Sequence, residues 1–160
     1  MKTMQFIAAC ALLAVASATF AHGNISHAPT AITPEQKAWG IAGKAKDAQR
    51  TITLNMTDDM RFAPSHFSVK KGETLRLRVV NKGQVMHEVV LGTQTSLDEH
   101  AQMMLKYPGM EHAEPYMAHV EPDQSEDLVW SFNRAGNFDF ACLIAGHYQA
   151  GMTGRFTVTE

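Results

Sequence analysis

From Thr51 to the C-terminal end, apolar residues return at every second position, so the chain must bury one face of several strands. Ile52, Leu54 and Met56 alternate with Thr51, Thr53, Asn55 and Thr57, and Leu75, Leu77 and Val79 with Thr74, Arg76 and Arg78. Leu128, Trp130 and Phe132 alternate with Val129, Ser131 and Asn133. Phe138 and Phe140 lead to Cys142, and Phe156 and Val158 close the chain. Turn residues separate the runs at Lys71-Gly72, Asn81-Lys82-Gly83, Glu121-Pro122-Asp123 and Ala135-Gly136-Asn137. Short alternating strands with this punctuation predict an all-β fold, a β-sandwich. One helical insertion is expected. Ser96-Leu97-Asp98-Glu99 reads as a capping box, Leu97, Ala101, Met104 and Leu105 share a face, and Pro108-Gly109 stops the run.

Residues 22–50 carry few large apolar groups and read as an N-terminal extension to a domain spanning 51–160. Thr33-Pro34-Glu35-Gln36 has the form of a capping box with Pro at the first helical position. It predicts a short helix to about Gln49, weakened by Gly40 and Gly43. Ahead of this, Lys2 precedes an apolar run of about eleven residues, Phe6 to Ala16, followed by small residues up to Ala21. That is the layout of a secretory signal peptide, residues 1–21, cleaved after Ala18 or Ala21. The run is shorter than the roughly 20 residues of a membrane-spanning helix, so an exported, soluble mature protein without membrane insertion is expected. Cleavage discards Cys10 and leaves Cys142 without a disulfide partner. In an oxidising compartment such a thiol must be deeply buried or held by something.

With 14 Lys and Arg against 16 Asp and Glu, the electrostatic footprint of a nucleic-acid binder is absent. No G-x-S-x-G, P-loop, G-x-G-x-x-G or H-E-x-x-H motif is present, so no hydrolytic or group-transfer enzyme is expected. The chemistry-bearing stretch is Cys142-Leu143-Ile144-Ala145-Gly146-His147-Tyr148-Gln149-Ala150-Gly151-Met152, where a thiol, an imidazole and a thioether follow at C-x4-H-x4-M. His87 lies upstream on a run read as a strand, Met86 to Leu91. Taken singly, each has a plainer role: a small buried thiol, a loop histidine, a core methionine. Together they make the ligand set of a blue-copper electron-transfer site, in which thiolate and thioether suit Cu(I) and imidazole suits both Cu(I) and Cu(II). The loop would supply three ligands and a strand from the opposite side the fourth. Zinc is the competing metal, but structural zinc sites are built from Cys and His, so Met152 favours copper.

Residues 51–160 resemble a cupredoxin. Met60-Arg61-Phe62-Ala63-Pro64, Lys70-Lys71-Gly72-Glu73-Thr74, His87-Glu88-Val89-Val90-Leu91-Gly92 and Phe132 through Cys142 are similar to the CopI-like periplasmic cupredoxins of bacterial copper-tolerance systems. The resemblance implies a Greek-key β-sandwich with His87, Cys142 and His147 as equatorial ligands and Met152 as the axial one. It also implies periplasmic copper handling, with one-electron transfer as the available chemistry. Two features depart from the common pattern. Glu88 follows the first histidine where Asn or Ser is usual. The loop between Cys142 and His147 has no Pro, which predicts a less restrained loop.

Eight His and ten Met are more than one such site uses. His22, the N-terminus after cleavage at Ala21, and His27 are candidate accessory copper ligands. Met86, His100, Met103, Met104, Met110, His112, Met117 and His119 form a second region able to hold Cu(I), whereas His66 reads as structural. Between Tyr107 and Asn133 lie six acids and no Lys or Arg, a solvated face or a docking patch for a positively charged redox partner. Two functions follow: a copper-tolerance protein that sequesters or redox-cycles periplasmic copper, or a diffusible one-electron carrier to a respiratory partner. In both, electrons would pass through the His147 edge, flanked by Leu143, Ile144 and Ala150.

Overall fold

The computed structural model describes residues 34–110 and 112–160. The leader, His22, His27 and Glu111 lie outside the described residues. In chain order the strands are β1 (Ile41–Ala42), β2 (Arg50–Thr57), β3 (Arg61–Ala63), β4 (His66–Lys70), β5 (Thr74–Asn81) and β6 (His87–Gly92). Helix α1 (Gln94–Lys106) follows, then β7 (Met117–Val120), β8 (Ser125–Ser131), β9 (Gly136–Ala141) and β10 (Thr153–Thr159). They form two five-stranded sheets, ordered β1-β8-β5-β2-β3 and β4-β10-β9-β6-β7. Successive strands cross repeatedly between the sheets in Greek-key fashion, and β2/β5 and β4/β10 pair in parallel.

The alternating residues meet in the middle. Leu54 and Met56 of β2, Leu75, Leu77 and Val79 of β5, and Leu128 and Trp130 of β8 form one wall of a single buried cluster. Phe67 and Val69 of β4, Val89 and Leu91 of β6, Phe140 of β9 and Phe156 and Val158 of β10 form the other. Phe67 stacks on Phe156 at 5.4 Å, and Phe62 meets Phe140 edge-on at 5.0 Å. Burying each such side chain stabilises the fold by about 1.5–3 kcal/mol, which explains why the period-two pattern sets the architecture.

Strand β6 breaks the alternation because all six of its residues are buried. Val89 and Leu91 face the sandwich, while Val90 lies under α1 with Leu97, Ala101, Met104, Met117, Ala141 and Leu143. The helix starts earlier than Ser96: Thr93 is its cap, accepting the Ser96 N–H at 3.1 Å, and Ser96 Oγ accepts the Thr93 N–H at 2.9 Å. Of the predicted face Leu97, Ala101 and Met104 are buried, whereas Leu105 is 45% exposed at its rim. Gly92 makes the docking possible, since a Cβ there would press on Ser96 and Leu97.

The helix predicted from the Thr33-Pro34-Glu35-Gln36 capping box does not form. Lys37 and Gly40 pair across a tight turn, Gly40 takes φ +130°, and β1 adds to the sheet by pairing with β8 at Ile41–Ser131 and Ala42–Trp130. Trp39 is buried, its carbonyl accepts the Trp130 indole N–H at 2.9 Å, and its ring meets Tyr116 edge-on at 5.4 Å. Burial of one tryptophan and two strand pairs outweighs a weak local helix preference that two glycines already lower.

Candidate metal centre

His87 opens β6, and Cys142 follows the last residue of β9 directly. These strands are antiparallel neighbours in one sheet, paired at Val90–Ala141, so the first histidine does not come from the opposite side as its position in the sequence suggested. Among the described residues, His87, Cys142 and His147 form the one group of three or more His, Cys or acidic side chains whose ligand atoms all lie within 4.8 Å of one another. The two imidazoles have centroids 5.0 Å apart, and His147 Nδ1 is 3.3 Å from Cys142 Sγ. Met152 is fully buried in the same cluster as Cys142. Its N–H donates to the His147 carbonyl at 3.1 Å, and its own carbonyl accepts the Cys142 N–H at 3.0 Å.

The free atoms say what the cluster suits. His87 is fully buried, its Nε2 lies 3.1 Å from Asp58 Oδ1, and its Nδ1 has no partner. A buried, unpaired ring nitrogen is costly unless something occupies its lone pair. Burial pushes the Cys142 thiol up to about 12, the Glu88 charge pushes the same way, and backbone N–H groups of Glu88 and Ile144 donating to the sulfur oppose both. His147 is held below the usual imidazole value by burial and by the neighbouring His87. Two imidazoles and a soft sulfur brought together at the ends of β6 and β9 are donors for a soft or borderline metal ion.

Glu88, the departure from the common pattern, is buried and occupied on both oxygens. Oε1 accepts the Leu143 N–H at 2.7 Å, tying β6 to the residue after Cys142. Oε2 sits 2.8 Å from His119 Nε2, a charge contact more than an aligned hydrogen bond, and it holds the His119 imidazole above its usual value. The loop without Pro is restrained by other means. His147 N–H donates to the Ile144 carbonyl at 2.9 Å, Ala150 N–H to Gly146 at 3.0 Å and Gly151 N–H to Tyr148 at 2.9 Å. Outside the loop, the Tyr148 hydroxyl donates to Asp98 Oδ1 at 2.6 Å, and Arg61 Nη1 donates to the Ala150 carbonyl at 3.0 Å.

The family model of copper-binding proteins of the plastocyanin/azurin family matches residues 48–159. The chain belongs to that family. Its metal is copper, which the donor set above suits. The chain is 45% identical to the copper-resistant cuproprotein CopI of Rubrivivax gelatinosus over 151 residues, covering 92% of this chain and 89% of that protein. It is 34% identical to CopI of Pseudomonas aeruginosa, covering 76% and 83%. Auracyanin B has the same fold, with TM-score 0.62 and 20% identity over 76% of this chain and 95% of that one. Auracyanin of Roseiflexus castenholzii superposes with TM-score 0.61 and 20% identity, covering 71% and 99%.

The second Met/His region gathers only in part. Met86, Met104, Met110, His112 and His119, with Glu88 and Ile144, line a groove of about 640 Å3. The His100 and His112 rings lie tilted against each other with centroids 4.7 Å apart, and the buried His112 Nε2 has no partner. Met103 points away, 47% exposed, and Met117 is packed under α1. His66 is exposed on β4, 3.5 Å from Thr157 Oγ1. Of the three residues expected to flank half-buried His147, Leu143 is instead buried beneath α1, whereas Ile144 is part-exposed and Ala150 exposed; Val85 and Met86, just before His87 in the chain, are 44% and 38% exposed. Sequence reasoning missed Asp58, because nothing in Thr57-Asp58-Asp59 distinguishes it from a solvated turn acid.

Proposed function

We propose that this protein is a periplasmic copper-handling protein of a copper-tolerance system, exported by its leader. His87, Cys142 and His147 would hold one copper ion, with Met152 as a fourth, weaker ligand. The observation that carries this reading is the buried, unpartnered His87 Nδ1 beside the Cys142 and His147 donor atoms. Copper bound there supplies one-electron chemistry between Cu(I) and Cu(II). The chain's part is to hold the donors nearly still, through the β6–β9 pairing and the hydrogen-bonded loop, so that a change of oxidation state needs little rearrangement. His87, Cys142 and Met152 are sealed off, while half-buried His147 is the ligand that reaches solvent and the route for an electron. The tolerance role is supported by relatives named as copper-resistant cuproproteins. No hydrolytic or transfer step is assigned to it.

Cu(II) added to the purified protein should give an intense visible thiolate-to-copper band, absent in Cys142→Ala. A colourless complex would overturn the assignment. A diffusible electron carrier is the second reading, favoured by the exposed apolar Val85 and Met86 directly before His87 in the chain and by part-exposed Ile144 in the ligand loop. A deletion strain failing selectively on excess copper supports tolerance, whereas a respiratory defect at trace copper supports the carrier. The Met/His groove, and His22 with His27, are proposed as accessory copper sites, and a stoichiometry of one ion per chain would discard both.

A further inference from the structure

Asp58 stands on the turn between β2 and β3, 29 residues before His87 in sequence, yet its carboxylate meets the far side of the His87 ring. The seat is built for it. Gln84 N–H donates to Oδ2 at 2.7 Å, Val85 N–H approaches Oδ1 at 3.4 Å, and His87 Nε2 lies 3.1 Å from Oδ1. The seat exists because residue 83 is glycine: a Cβ at Gly83 would run into the Asp58 carboxylate and crowd His87 Nε2 at 3.2 Å. Gly83 is itself pinned, its N–H donating to buried Asn81 Oδ1 at 2.8 Å, while Asn81 Nδ2 donates to the Val85 and Val120 carbonyls at 2.8 and 2.9 Å. The loop before β6 is thus wrapped around one acidic side chain from the β2–β3 turn.

A carboxylate is an acceptor, so Nε2 carries a ring proton, and in a neutral imidazole this leaves the lone pair on Nδ1. Nδ1 is the ring nitrogen left buried and unpartnered. Carboxylate–histidine contacts of this kind fix the tautomer of a metal ligand and raise its basicity. A negative charge one imidazole away also favours the more positive oxidation state. We propose that Asp58 is a positioning residue for the copper centre, presenting His87 Nδ1 to the metal and stabilising Cu(II) over Cu(I). This rests on the copper reading above, but its first consequence does not need the metal.

In metal-free protein, nitrogen NMR of His87 should show a single Nε2–H tautomer, which Asp58→Ala should turn into a mixture. Loaded with copper, Asp58→Ala should bind Cu(II) about 10–100-fold more weakly and show a higher reduction potential. A tenfold loss confined to Cu(II) corresponds to about 59 mV for this one-electron couple. If Asp58→Ala fails to fold, Asp58→Asn retains an acceptor for the Gln84 and Val85 N–H groups and should also raise the potential, by less. An unchanged His87 tautomer in Asp58→Ala, or a potential equal to that of the unaltered protein in Asp58→Asn, overturns the proposal. Failure of the copper reading would look different: no thiolate band in the unaltered protein, with the tautomer result standing.

Discussion

Cys142 keeps its proton in the metal-free protein, because a thiolate sealed in the core and facing the Glu88 charge loses more hydration than two backbone N–H groups return. Binding copper as thiolate must therefore expel that proton. Titrating Cu(II) into weakly buffered protein near neutral pH should release at least one proton per ion, with affinity rising about tenfold per pH unit. The sign for stability is opposite. The folded state holds this proton up to about 12 against an ordinary value of 9.0, so the metal-free fold should lose stability as pH climbs through that window. Urea midpoints on either side of it check this, with Cys142→Ser showing the smaller fall. Glu88→Gln keeps an acceptor for the Leu143 N–H and removes the charge. His119, which the Glu88 carboxylate raises, should then titrate at lower pH by NMR with the fold intact.

At the scale of elements, β6 and the ligand loop do work that their sequences advertise unequally. The loop was legible as a ligand-bearing segment from Cys142, His147 and Met152 alone, since few other roles use a thiol, an imidazole and a thioether together. What restrains it was not legible: Tyr148 reaches Asp98 and Gln94 on α1, and Arg61 reaches the Ala150 carbonyl from β3. These are contacts between segments 50 to 89 residues apart, and no local pattern encodes them. Tyr148→Phe should cost about 1 kcal/mol, the net worth of an ordinary hydrogen bond. It should also speed amide exchange over residues 143–151 relative to the sheet, with the copper ligands still present. Exchange unchanged across the loop would show that its internal turns suffice.

For the molecule as a whole, the sandwich does not begin where the alternation begins. Trp39 lies in the core cluster and β1 extends the first sheet, so part of the segment read as an extension packs as structure. Trp39→Ala should destabilise the fold by about 3–5 kcal/mol, and a chain starting at Thr51 should unfold at clearly lower urea than the full one. Either variant matching the unaltered chain would contradict that packing. The sequence by itself determined the sandwich and the ligand-bearing loop, because burial of alternating residues and the chemistry of sulfur and imidazole are properties of residues in order. Only the tertiary structure decided that residues 34–49 form no α-helix, that Glu88 joins β6 to the loop and to His119, and that Asp58 holds His87. In each case a weak local preference, or an acid with no pattern around it, is settled by what lies opposite once the sheets close.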